Sequence, residues 1–143
     1  RVPLIVRWPG VTEAGSVSAV PVTSVDYFPT IAKSAGAELP DGLVIDGLDL
    51  MPVLKGGGSL DRDAIFWHFP HYRGKVTPYS IVRRGEWKLL KRYEGPSYEL
   101  FNLKDDLSET KDLAGEMPGR VKELDAVLEE WLEHTGAKLP RAG

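Results

Sequence analysis

A chain of 143 residues with 42% hydrophobic and 27% charged residues is long enough for one modest core, or for a small domain plus a piece of another. Its formal net charge of −3 gives no general pull toward nucleic acid, and no apolar run approaches the roughly 20 residues of a membrane span. With no cysteine, disulfides and thiolate metal sites are excluded and the compartment stays open.

The first segment runs to about Lys55. "VPLIVRW" (Val2 to Trp8) is apolar and β-branched, does not alternate, and stops at Pro9-Gly10; this predicts a strand covered on both faces. No initiator methionine or signal-like stretch precedes it, and the expectation is a piece of a longer protein. "TSVDYFPTIAKSAG" predicts a short helix with Asp26 as N-cap, Pro29 in the first turn and Gly36 as the stop. Asp26 is read as that cap and not as a catalytic carboxylate. The Pro/Gly-punctuated stretch from Ala37 to Gly58 predicts a connection with one helical turn near Asp49 to Leu54. One strand and one helix cannot bury each other, so residues 1–55 read as the end of a larger α/β domain.

Residues 56–143 have a different periodicity after the linker "GGGS". Ile65, Trp67 and Phe69 alternate with Phe66 and His68, predicting a strand. "PYSIVRRGEWKLLKRY" predicts two strands around a turn at Arg84-Gly85, where glycine can take a positive φ. In the second of them, Trp87, Leu89 and Lys91 share one face, and Lys88, Leu90 and Arg92 the other. "EGPS" predicts another turn and "YELFNL" a fourth strand. The acidic loop that follows lacks the glycine and spacing of an EF-hand, and reads as a polar loop capping the last helix. That helix is "MPGRVKELDAVLEEWLEHTG", with Pro118 at its start, a stripe of Val121, Leu124, Leu128, Trp131 and Leu132, and Gly136 at its end. The fold class expected is α+β: a four-stranded antiparallel sheet with a C-terminal helix packed on it, preceded by a strand and helix from a larger α/β domain.

"RVPLIVRWPG", "SVDYFPTIAKSAG", "IDGLDLMPVLKG", "IFWHFPHY", "IVRRGEWKLL" and "YELFNLKDDLSETKDLA" occur in this order before the closing helix. In order and spacing the chain resembles the C-terminal part of the formylglycine-dependent, arylsulfatase-like sulfatases of the alkaline phosphatase superfamily. The family often has Asp-Pro where this chain has Asp106-Leu107, and Asn-Leu where it has Asp112-Leu113. The resemblance implies a parent enzyme that hydrolyses sulfate esters with a formylglycine and a calcium ion. Its nucleophile and metal ligands would lie upstream of Arg1. No serine here stands in a Ser-x-Pro/Ala-x-Arg context, and the single asparagine, Asn102, is away from any Asp-Asn pair. The partners implied are the missing N-terminal sulfatase domain and a sulfated small molecule or glycan, and a periplasmic or secreted location. Neither nucleic acid nor membrane is expected as a partner. The alternative reading is an independent carbohydrate- or partner-binding α+β module.

"AIFWHFPHYRGK" (Ala64 to Lys75) places His68 and His71 three residues apart near Asp61 and Asp63, which raises a zinc site. In a strand, however, His68 points opposite Trp67, and Pro70 ends the ladder before His71, so the imidazoles do not converge. No catalytic or metal residue is therefore assigned. The family resemblance implies that the loop after this strand approaches the cleft, which makes His71, Tyr72 and Arg73 candidate substrate contacts. Arg73, Lys75, Arg83, Arg84, Lys88, Lys91 and Arg92 make the central hairpin basic; a polyanionic glycan could use it, but the stronger expectation is a solvated face balanced by the acidic loop and helix. The orphaned segment Val2–Trp8 is a candidate for self-association.

Overall fold

The computed structural model describes residues 2–95 and 98–140, which fall into two compact units, Arg1–Asp61 and Arg62–Gly143. In the second unit, four strands form one antiparallel sheet in chain order: β1 (Ala64–Phe69), β2 (Tyr79–Arg84), β3 (Trp87–Arg92) and β4 (Tyr98–Asn102). The register pairs Phe66 with Val82, Val82 with Leu89 and Leu89 with Leu100. Because side chains alternate across a strand, these four lie on one face. Against that face packs α3 (Pro118–His134), which buries Leu124, Leu128 and Leu132. Val121 and Trp131 complete the stripe at its margin, with Trp131 stacked on Phe66 at 4.7 Å between ring centroids. The turn between β2 and β3 has two residues, Gly85 and Glu86. Gly85, at φ 58°, takes the first central position that tight hairpins reserve for glycine. Helix α3 ends in a Schellman motif: the Gly136 and Ala137 N–H groups donate to the Glu133 and Leu132 carbonyls. Of the "EGPS" turn, Pro96 and Ser97 lie outside the described residues.

The acidic loop does not cap α3. Met117 stands at the N-cap without a side-chain hydrogen bond, and the loop's carboxylates serve the loop itself or tie it to the sheet. Asp106 accepts from the Thr110 and Lys111 N–H groups at 2.7 and 2.8 Å, and these bonds, led by that from Lys111, hold its pKa below the usual carboxylate range. Asp112 accepts from the Leu100 and Ala114 N–H groups, both at 2.9 Å. An asparagine carbonyl would accept in the same way, so an aspartate at this position keeps the bond that ties the loop to β4. Leu107 is exposed and asks nothing of its backbone beyond the turn.

The first unit departs from the sequence reading in two places. Val2–Trp8 forms no strand: an extended segment is stabilised by a ladder partner, and no strand among the described residues of this unit provides one. Its Val2 and Ile5 are each 88% exposed. Asp26 does not cap its own helix. It ends a 3-10 turn, Ser24–Asp26, that runs directly into α1 (Tyr27–Ser34). Its buried carboxylate accepts from the Thr23 N–H at 2.8 Å and from the Leu48 N–H at 2.9 Å. One turn later, the Thr30 hydroxyl donates to the Asp26 carbonyl at 2.6 Å and accepts from the Leu50 N–H at 2.9 Å. These bonds fasten the "IDGLDL" segment along α1, and Gly47 permits the approach: a Cβ there would lie 2.0 Å from the Val25 carbonyl oxygen. The helical turn expected near Asp49 is α2 (Met51–Leu54), started by Asp49, which accepts from the Met51 N–H at 2.9 Å.

Candidate functional site

The two histidines are kept apart by what their rings bond. His68 Nε2 lies 3.0 Å from the Lys138 carbonyl oxygen and Nδ1 lies 2.7 Å from Ser80 Oγ. A carbonyl only accepts, so Nε2 is the donor and Nδ1 accepts from the Ser80 hydroxyl when the ring is neutral. Ser80, fully buried, is in turn 2.9 Å from the Tyr93 hydroxyl. Both ring nitrogens are thus committed to holding the segment after α3 and the interior of the sheet. His71 sits beyond Pro70, exposed, edge-on to Phe69 at 5.7 Å. Asp63 pairs with Arg84 at 3.0 Å. Among the described residues no group of three or more His, Cys, Asp or Glu is arranged to hold a metal ion.

The loop between β1 and β2 has its own small architecture. Arg73 and Val76 bond each other's backbone in both directions, at 3.1 and 3.0 Å, across Gly74-Lys75, with Gly74 at φ 61°. The Tyr93 N–H donates to the Pro78 carbonyl at 3.1 Å and fixes the loop's far end. Tyr72, half exposed, reaches across to donate its hydroxyl to the Glu94 carboxylate. That bond raises the phenol above its ordinary range, because ionisation would set two negative charges against each other. His71, Tyr72 and Arg73 are therefore brought to one exposed loop. Tyr93 and Glu94, which hold it, escape sequence reasoning because they are remote in the chain and read only as the end of a strand and the start of a turn.

The basic hairpin is largely neutralised. Arg84 meets Asp63 and Glu123; Lys88 meets Glu109 of the acidic loop; Lys91 meets Asp125 and Glu129 of α3; Arg92 meets Glu99 at 2.6 Å. The acidic loop supplies Glu109 and α3 supplies Glu123, Asp125 and Glu129, as expected of a balanced face, while Asp63 and Glu99 come from just before β1 and from β4. Arg73, Lys75 and Arg83 have no carboxylate partner among the described residues.

Residues 1–138 match the C-terminal domain family of N-sulphoglucosamine sulphohydrolase. The chain belongs to this family. A sulfatase of Formosa agariphila is 39% identical over 139 residues, covering 90% of this chain and 25% of the relative. An N-acetylglucosamine-6-O-sulfatase of Bacteroides thetaiotaomicron is 33% identical over 138 residues, covering 91% and 24%. Among solved structures, BT4656 in complex with its substrate D-glucosamine-2-N,6-O-disulfate superposes with a TM-score of 0.77 at 31% identity, covering 93% of this chain and 28% of that one. The chain thus spans about a quarter of the length of the relatives it matches. Its four-stranded sheet and closing helix are the architecture of this sulfatase C-terminal family.

Proposed function

We propose that this chain is the C-terminal part of an enzyme hydrolysing sulfate esters, and that it supplies scaffold and cleft rim while the reacting groups lie elsewhere in the parent. The observation that carries the reading is the match to the sulphohydrolase C-terminal family across residues 1–138, in a chain without cysteine. Its substrate is a sulfated small molecule or glycan, a class supported by the disulfated glucosamine of the neighbouring structure. The described residues offer no cluster fit for calcium and the sequence no formylglycine context. Both groups belong to the N-terminal sulfatase domain that is this chain's partner. The loop residues His71, Tyr72 and Arg73 touch the sugar or aryl part of the substrate. Exposed, pinned loops on a rigid sheet are where such contacts are built.

Two experiments test this. The coding sequence upstream of Arg1 should contain a Cys/Ser-x-Pro-x-Arg motif and an Asp-Asn pair; an unrelated domain there sinks the reading. The purified 143-residue chain should show no aryl sulfate turnover with or without calcium. Turnover abolished by mutating a residue of this chain would refute the assignment of the chemistry to the partner domain.

A further inference from the structure

Among the described residues, all but one of the arginines and lysines of β2 and β3 are paired with a carboxylate, Arg83 being the exception, and the two cations of the β1–β2 loop are not. Arg84, Lys88, Lys91 and Arg92 each meet a carboxylate, whereas Arg73 and Lys75 of the loop meet none among the described residues. Among the described residues, the loop's one side-chain hydrogen bond to a charged group is Tyr72 donating to Glu94. Glu94 in turn has no cation within ion-pair distance among the described residues. It follows Tyr93, whose backbone is bonded to Pro78 and whose hydroxyl is bonded to the buried Ser80. Its place beside the loop is therefore set by the sheet and not by the reach of a flexible tail.

A carboxylate and a sulfate ester present the same thing to a phenol: anionic oxygens that accept an O–H hydrogen bond. We propose that Glu94 is an anionic guard on the β1–β2 loop, holding the Tyr72 hydroxyl that a ligand's sulfate would take and repelling an anion that approaches it. The proposal rests on the reading of this loop as a substrate contact, and deepens it to a mode of selection. A neutral sugar gains nothing from Arg73 and Lys75 with which to displace Glu94. A sulfated sugar gains both cations, and its sulfate replaces the carboxylate as acceptor. The guard thus lowers affinity for every anion and leaves useful binding to ligands with enough sulfate to overcome it.

This gives an expectation opposite in sign to ordinary deletion: removing Glu94's charge should tighten binding. One unit charge at about 4 Å in water corresponds to roughly a fivefold change in affinity. Titrate the whole chain with D-glucosamine-2-N,6-O-disulfate, followed by NMR shifts, with glucosamine as the unsulfated control and at two salt concentrations. Glu94→Gln should bind the disulfate roughly fivefold more tightly and glucosamine no differently, and the Tyr72 phenol should titrate nearer its ordinary range even without ligand. Arg73→Ala and Lys75→Ala should each weaken disulfate binding, most at low salt. If those two variants weaken binding while Glu94→Gln leaves it unchanged or weaker, the guard is overturned and the loop contact stands. If shifts fall outside the loop and none of the variants alters binding, the loop contact fails and the guard with it.

Discussion

Lys91 enters β3 as one more surface cation and ends between two carboxylates of α3. Its ammonium lies 2.9 Å from Asp125 and 2.6 Å from Glu129, and Tyr98 donates to Asp125 at 2.7 Å. Burial alone would lower the lysine's pKa, but the bonds to Glu129 and Asp125 outweigh it and hold the group above its ordinary range. Burial, then the bond to Asp125, likewise raises Tyr98. A group whose folded pKa is raised contributes stability that is complete below its unfolded value and is lost as pH rises through the folded one. The window therefore opens near pH ~10, where both groups titrate when unfolded. The melting temperature should fall as pH rises beyond that point, and Lys91→Met should lose about 2 kcal/mol at neutral pH while showing much less of the alkaline decline. Thermal melts of both proteins from pH 7 to 11 check it; identical profiles would remove Lys91 from the account. Gly47 belongs to the same scale. Because a Cβ there would meet the Val25 carbonyl oxygen at 2.0 Å, Gly47→Ala should destabilise the first unit by about 1–3 kcal/mol, read from denaturant midpoints against Gly136→Ala. At Gly136 nothing lies within 4 Å, and only the strain of a φ of 61° applies.

At the scale of elements, the C-terminal unit rests on α3 lying across the sheet, and Trp131 reports that docking. It stacks on Phe66 with an interplanar angle of 2° and is only half-buried. Trp131→Ala should cost about 3 kcal/mol, the lower end for a large aromatic, in denaturant unfolding of the whole chain. A shift near zero would mean that Leu124, Leu128 and Leu132 carry the interface without it. This unit was legible because its signals are local and periodic: alternation along Ala64 to Phe69, a glycine in a two-residue turn, a helix stripe with Pro118 before it and Gly136 after. The misreadings share one cause. Val2–Trp8 has a strand's composition, but a ladder needs a partner that composition does not provide. Asp26 sits where a cap belongs, yet its bond to Leu48, 22 residues on, is invisible to any local rule. At the loop, His71, Tyr72 and Arg73 could be named from their run of residue types, whereas Glu94 could not, since only the pairing of β2 with β3 carries it there.

For the whole molecule, the question is where the apolar surface of the first unit goes. Helix α1 is turned about: Pro29 and Thr30, with Asp26 just before it, are buried, while Phe28 is 55% and Ile31 66% exposed. Its polar side is spent on hydrogen bonds to Leu48 and Leu50, so the apolar side faces outward. Val2 and Ile5 add β-branched residues in a low-charge segment, a composition that favours strand addition. Where such exposed apolar residues lie together, they mark a surface that soluble proteins rarely leave uncovered. In the parent we assign its cover to the N-terminal sulfatase domain; for the chain by itself, a second copy is the available partner. The chain should therefore self-associate through Val2–Trp8, and a version starting at Arg62, the first residue of the second unit, should not. Light scattering over a concentration series on both proteins decides between them, and Ile5→Lys in the full chain should shift it toward monomer without changing the unfolding of the sheet. A full chain that stays monomeric at high concentration while Val2–Trp8 is protected from hydrogen exchange would show that the segment has found a partner within its own chain.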